Sequence, residues 1–383
     1  MNRSHFSKIK NILFFVTFSI STTYGQGIEA RWKDHINLKS YLNPFWKTDT
    51  ITDEIVQIIK DGEIASGPLL FKAKKILSVR SADLSKTFLE GKDWIYENGR
   101  IKLTDRSNIP FIKQEDLAFK TMKKDWSMEG KKKGEFVLFN EGTYFRSMQI
   151  SITYLPDRSK KWLGPLPKFS GQSLRYILQK LNKKEDLKIV FYGNSIETGA
   201  NSSGFQNQSP FMPSWAELIV YNLRKKYTGK ISFSNQSVGG KLAKWGLENV
   251  TSAVLPENPD LVIIGFGMND GTFEVAPEVY REQISGIMKA VLAKNPKAEF
   301  ILISPMLANP YATQSKIQSL YKPELQKLIK KGVVLADLTG THQELLKHKT
   351  YQDMTGNNVN HPNDYLARWY AQVISAILIK PRD

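Results

Sequence analysis

Four short polar clusters in the C-terminal half carry the residue types needed for nucleophilic chemistry. Gly193-Asn194-Ser195-Ile196 follows the apolar run Leu187 to Tyr192. Ser237-Val238-Gly239-Gly240 follows Ile231 to Phe233, and Gly267-Met268-Asn269-Asp270 follows Asp260 to Phe266. Asn358 to Asp364, with His361 at its centre, precedes the last helix-forming stretch. A serine needs a base near neutral pKa to become a nucleophile, and histidine is the usual one. A glycine backbone N–H and an asparagine amide can both hold a developing oxyanion. Serine, histidine and such donors together point to acyl transfer through a covalent intermediate. Each cluster alone also reads as an ordinary turn; their order and their placement beside strands carry the assignment.

The elements that must position them alternate. Strands are expected at Leu187–Tyr192, Ile231–Phe233, Asp260–Phe266, Glu299–Ser304 and Val333–Asp337. Helices are expected at Trp215–Lys226, Pro277–Ala293, Ser315–Lys331 and Tyr365–Ile379. Alternating strands and helices predict a parallel sheet covered on both faces, a three-layer α/β/α domain. Ligands of such sheets sit outside the carboxyl ends of the strands, where the first three clusters lie.

The preceding part has a different texture. Short apolar segments recur at Ile55–Ile59, Leu69–Phe71, Ile76–Val79, Phe136–Phe139 and Met148–Ile152. Turn residues separate them at Asp61-Gly62, Glu97-Asn98-Gly99 and Asn140-Glu141-Gly142. This spacing predicts an antiparallel β-sandwich, jelly-roll-like, over residues 26–168, with the α/β domain over 173–383 and a Pro-rich linker near Pro156–Pro167.

Residues 1–25 read as a signal peptide. Arg3, Lys8 and Lys10 flank the apolar run Ile12 to Ile20, and Thr23 and Gly25 supply small residues for cleavage before Gln26. The chain has no cysteine, which closes both the disulfide and the lipobox routes. A secreted, soluble protein without a lipid anchor is expected, periplasmic or extracellular. Net charge is +17, but the lysines occur in short scattered runs, so solvated faces are expected rather than a nucleic-acid surface. Neither a His-rich motif nor cysteine is available for a zinc site, and no metal or other cofactor is expected. Oligomeric state is not legible.

Through these four blocks, the region from about Asp186 onward resembles the SGNH (GDSL-like) hydrolases. The Gly-Asn-Ser-Ile-Glu-Thr-Gly-Ala and Asn-His-Pro-Asn-Asp wording is similar to the secreted two-domain carbohydrate esterases, acetyl xylan esterase-like, within that family. The resemblance implies Ser195 as nucleophile and His361 as base. It implies an oxyanion hole of Ser195 N–H, Gly240 N–H and the Asn269 side chain. The implied substrate is an acetylated oligo- or polysaccharide. Two positions depart from the pattern. Asn194 replaces the aspartate beside the nucleophile, and Asn358 stands where the acid partner of His361 belongs. A Ser-His dyad is therefore expected, its ring held by an amide or carbonyl, with Asn358 as a possible orienting group. Asp353 and Asp364 are near in sequence, but sequence does not place either beside the ring. Trp215, Trp245 and Phe273 are candidates for a sugar platform or for core. Two further readings are kept: a glycan-binding protein whose hydrolase domain is weakened at Asn358, and a sugar O-acetyltransferase.

Overall fold

A computed structural model describes residues 30–159 and 161–381. The expected signal peptide lies outside the described residues. Residues from Arg31 onward form one compact unit. Among the described residues no helix is long and apolar enough to cross a membrane.

The C-terminal half is built on a five-stranded, wholly parallel sheet. Its spatial order is Ile231–Asn235, Leu187–Gly193, Leu261–Gly265, Glu299–Ile303, Val333–Ala336. The central strands, Leu261–Gly265 and Glu299–Ile303, are buried at every position. Continuous apolar runs such as Leu-Val-Ile-Ile are what a sheet covered on both faces requires. The chain starts at the second strand, steps outward to Ile231–Asn235, then reverses to Leu261–Gly265. That reversal leaves a crevice between Leu187–Gly193 and Leu261–Gly265 at their carboxyl ends.

Helices form largely where expected. Trp215–Lys226 begins at a Ser214/Glu217 capping box, and Pro277–Lys294 has proline in its first turn. The expected helix over Ser315–Lys331 is instead a 3₁₀ turn at Gln318–Leu320 and a short helix at Tyr321–Gln326. Pro323 has no N–H to give the carbonyl four residues earlier, so it is tolerated only in a first turn.

The N-terminal half is made of antiparallel sheets. Ala73–Ser81 and Ile51–Gln57 flank Gln149–Pro156. A second sheet runs Trp94–Glu97, Arg100–Leu103, Ile64–Pro68, Ile59–Asp61, Ile112–Lys113, with a parallel pairing only at its last step. Asn98 and Gly99, both at positive φ, make the two-residue hairpin turn. The two sheets pack closely enough that a Cβ on Gly67 would lie 2.2 Å from Val56 Cγ1. Leu69-Leu70-Phe71, expected as strand, is a buried loop.

The closing helix, Asp364–Leu378, is buried on nearly every side. One side packs on Trp215–Lys226 and the other on Ile51–Gln57. Its polar residues serve the N-terminal half. Arg368 donates to the carbonyls of Tyr41, Thr52 and Asp53 and lies 4.0 Å over the Tyr41 ring. Gln372 accepts from Phe45 N–H and donates to Tyr41 O. Below them, the fully buried Lys349 pairs with Glu54 at 2.6 Å and donates to the carbonyls of Ile55 and Pro68. Breaking such a buried pair from one side typically costs about 3–5 kcal/mol. The two halves are therefore joined through satisfied polar groups as well as apolar contact.

Candidate active site

Ser195 opens a four-residue helical turn, Ser195–Thr198, directly after the strand Leu187–Gly193. Asn194 is its cap: its side-chain oxygen accepts from Ile196 N–H at 2.9 Å. Its amide donates across the crevice to Gly265 O at 3.3 Å. An aspartate could make the first bond but not the second. Asn194 thus ties the ends of the two strands that bound the crevice.

Glu197 closes the capping box by accepting from Asn194 N–H at 2.9 Å. Its carboxyl lies between two glycines. A Cβ on Gly193 would come within 2.5 Å of it, and one on Gly265 within 2.3 Å. Gly193 therefore makes room for a side chain; its φ is not in the left-handed region. Burial pushes the Glu197 pKa up to about 8, against the backbone N–H bonds that lower it.

His361 lies in the loop before the closing helix, and the structure brings its Nε2 to 2.9 Å from Ser195 Oγ. Its Nδ1 faces two oxygens: Asn201 Oδ1 at 2.7 Å and Glu141 Oε2 at 3.2 Å. The Asn201 amide has a fixed orientation, because its nitrogen donates to Glu141 O at 3.2 Å and Gly356 O at 3.4 Å. A flipped amide would set oxygen against two carbonyls. Nδ1 must then carry the proton, and Nε2 presents its lone pair to the Ser195 hydroxyl. That is the tautomer a base for Ser195 requires.

The loop bearing His361 is turned around Asn357. Its side-chain oxygen accepts from the N–H groups of Val359, Asn360 and His361. Its amide donates to Glu141 Oε1 at 3.1 Å. Glu141 itself sits on an Asx-turn, in which Gly142 N–H donates to Asn140 Oδ1. Gln206 holds this turn by donating to Gly142 O at 2.9 Å. Glu141 is half-exposed, and the partial loss of water where its carboxyl meets the ring would by itself raise its pKa. The His361 ring and the bonds from His361 and Asn357 outweigh it and hold the group below the ordinary carboxylate range.

Asn358, the possible orienting group, does not bond to the ring. At φ +65° and fully buried, it donates to Leu138 O and accepts from Asn309 and Gln352. With its amide and its oxygen both engaged by these partners, its side chain has no bond left for the ring. Asp364 pairs with Arg146 at 2.8 Å and accepts from Ser203 N–H. Asp353 accepts from Gln57 and Thr350 N–H. Neither aspartate bonds to the ring. His342 is buried, which drives its pKa down to about 3, and its Nδ1 accepts from Leu307 N–H.

The two remaining blocks meet each other. Asn269 donates to Lys241 O at 3.0 Å, one residue after Gly240. Asp270 accepts from Ala243 N–H at 2.8 Å and Gly267 N–H at 3.0 Å. Burial lifts the Asp270 pKa to about 6 against those bonds. Gly240 adopts a left-handed φ of +74°. A Cβ on Gly239 would stand 3.7 Å from Ser195 Cβ, so the glycine loop lies against the nucleophile turn. Of the candidate platform residues, Trp215 is core: it is fully buried and donates to Ile196 O beneath the turn. Trp245 packs on Tyr192 and the core, and Phe273 is exposed.

Sequence reasoning missed Asn201 and Glu141. Asn201 follows Ser195 by six residues and adopts positive φ, a preference its residue type allows but does not announce. Glu141 was legible only as a member of a turn.

The five-stranded parallel sheet, with its polar blocks at the crevice, is of the α/β kind typical of SGNH hydrolase domains. The model of the GDSL-like Lipase/Acylhydrolase family matches residues 191–369. Over those residues, slightly under half of the sequence, the chain is similar to the ester hydrolases of that family. No curated protein matches the chain in sequence. Among solved structures, the chain is similar to a two-domain esterase (CEX) active on acetylated mannans, at 22% identity and TM-score 0.45, over 55% of this chain and 54% of that one. It is also similar to Axe2, an acetylxylan esterase from Geobacillus stearothermophilus, at 16% identity and TM-score 0.39, over 51% and 97%. A third is a lipase/acylhydrolase from Enterococcus faecalis, at 18% and TM-score 0.39, over 49% and 93%. The chain thus spans about half the length of the mannan esterase it matches.

Proposed function

We propose that this protein is a secreted serine esterase that removes acetyl or similarly small acyl groups from a carbohydrate. The observation that carries the reading is the 2.9 Å approach of Ser195 Oγ to a His361 Nε2 whose tautomer is set from behind by Asn201. His361 takes the serine proton as Oγ attacks the ester carbonyl. The oxyanion is held by the N–H groups of Ser195 and Gly240 and by the second N–H of the Asn269 amide. His361 then gives that proton to the leaving sugar oxygen as its bond to the acyl carbon breaks, releasing the sugar hydroxyl. Water hydrolyses the acyl-enzyme, with His361 again as base.

The close approach of the glycine loop to Ser195 supports a short acyl chain. A cleft of about 400 Å³ supports a sugar. It is lined by Phe111, Trp126 and Tyr144 together with Lys113, Asp116 and Lys123. Aromatic faces beside charged hydrogen-bonding groups suit pyranose rings, which have apolar faces and polar rims. Tyr144 opens the helix Tyr144–Met148 that follows the Glu141 turn.

The test is acetate release from p-nitrophenyl acetate and from an acetylated polysaccharide, with Ser195→Ala and His361→Ala alongside. Release abolished in both variants is expected. Release indifferent to Ser195 would remove the esterase reading and leave the glycan-binding one. Acetyl appearing on an added acceptor sugar would mark the acyltransferase.

A further inference from the structure

We infer that Glu141, carried by the N-terminal half of the chain, is the carboxylate that pairs with the His361 imidazolium during turnover, so that the hydrolase site is completed from outside the hydrolase domain. The inference rests on the esterase reading. Its first support is geometric. Among the described residues Glu141 is the carboxylate within ion-pairing reach of the ring, at 3.2 Å from Nδ1. The local sequence offers no alternative, since Asp353 and Asp364 are engaged elsewhere and position 358 is an amide facing away.

The second support is that Glu141 is held in place. Asn357, which folds the histidine loop, also donates to Glu141 Oε1. Asn201, which orients the ring, donates to the Glu141 backbone carbonyl. Arg146, one helical turn further along, donates to Asn201 O and pairs with Asp364 at the start of the closing helix. The turn at 140–142 is thus bonded to Asn201 through its backbone and to the histidine loop through the Glu141 side chain. Roles divide between the two oxygens on Nδ1. The neutral Asn201 amide is closer and sets ring orientation and tautomer. Glu141 adds the negative charge that an amide lacks, and charge is what stabilises an imidazolium. Glu141 acts through His361 and is a positioning residue.

The charged groups around the ring are Glu141 itself, the Arg146–Asp364 pair behind Asn201, and Glu197 in the nucleophile turn. Among the described residues Glu141 is the one carboxylate in ion-pairing reach of the ring, so removing its charge leaves a His361 cation without a direct counter-charge. The experiment uses the full chain and its Glu141→Gln variant, with p-nitrophenyl acetate as substrate and a pH–rate profile for each. Expected is a fall in kcat of roughly ten- to a hundredfold with KM little changed. That is less than the ~10⁴ lost with a buried triad carboxylate, because Glu141 is 53% exposed and Asn201 remains. The acid limb of kcat/KM should move to lower pH. Glu141→Asp should recover part of the loss.

A second readout does not need turnover: the His361 imidazole titrated by NMR, its signal assigned with His361→Ala. A lower pKa in Glu141→Gln supports the pair. Unchanged kcat, acid limb and imidazole titration together would overturn it. If Ser195→Ala leaves hydrolysis intact, the esterase reading fails by itself, and the NMR titration still decides whether Glu141 and His361 form a charged pair.

Discussion

Gly356 lies directly against Asn201: a Cβ at position 356 would stand 2.4 Å from Asn201 Cβ. Asn201 in turn donates to the Gly356 carbonyl and accepts from His361 Nδ1 at 2.7 Å. The glycine is needed because the loop of residues 355–361 and the segment after the nucleophile turn approach within backbone contact. Replacing Gly356 by alanine must move Asn201, and with it the ring. Gly356→Ala is expected to lower kcat by roughly tenfold or more, since small misplacements of a reacting group cost up to about 10²-fold. Measuring kcat beside the circular dichroism spectrum would separate this from unfolding. Wild-type kcat in a folded variant would show that the ring is held without Asn201.

Restoring the family's acid at position 358 should not help. Asn358 Nδ2 donates to Leu138 O at 2.9 Å, and the side chain is fully buried away from His361. Asn358→Asp would place a carboxylate against that carbonyl. An unpaired buried polar group costs about 1–3 kcal/mol, and more when charged. A lower urea midpoint and no gain in esterase activity are expected. A faster Asn358→Asp enzyme would mean that the loop can rearrange to present residue 358 to the ring.

Asn269 spends one amide hydrogen on Lys241 O, and the proposed mechanism gives the other to the oxyanion. Loss of an oxyanion donor typically costs about 2.7–4 kcal/mol, or 10²–10³ in kcat. Asn269→Ala should show that loss in kcat rather than in KM. A loss confined to KM would place Asn269 in ground-state binding.

Glu197 makes stability depend on pH in a direction opposite to a surface carboxylate. Burial raises its pKa from 4.5 to about 8. The folded chain therefore holds a proton that the unfolded chain has released between those values. The contribution is most favourable below pH 4.5, declines as pH rises through the window from 4.5 to 8, and stays lost above it. Glu197→Gln keeps the shape and one acceptor for Asn194 N–H but cannot ionise. Its urea midpoint relative to the wild type should rise between pH 5 and pH 9. A difference that is flat with pH would show that Glu197 is ionised throughout.

Much of this protein was legible in its residues. The apolar runs and their spacing determined the parallel sheet, because a strand covered on both faces must be apolar throughout, and Leu261–Gly265 is. Ser195, Gly240 and Asn269 are legible because turns after such strands fall at one edge of the sheet, and His361 because it stands in a polar loop before the last helix. Pro323 could have warned against the long helix over Ser315–Lys331. The partners on Nδ1 of His361 were decided by tertiary structure alone. Glu141 is 220 residues from His361 in the chain, in a turn whose composition says only that it bends. Asn357 and Asn358 are neighbours of the same type, yet one organises the loop and the other faces Leu138. Which of two adjacent asparagines does which depends on backbone direction at a left-handed residue, and local sequence does not specify that direction. Side-chain chemistry is local and can be read from residue type. Its geometry depends on which distant segments pack together, and here the antiparallel half and the closing helix bring Glu141 to the ring.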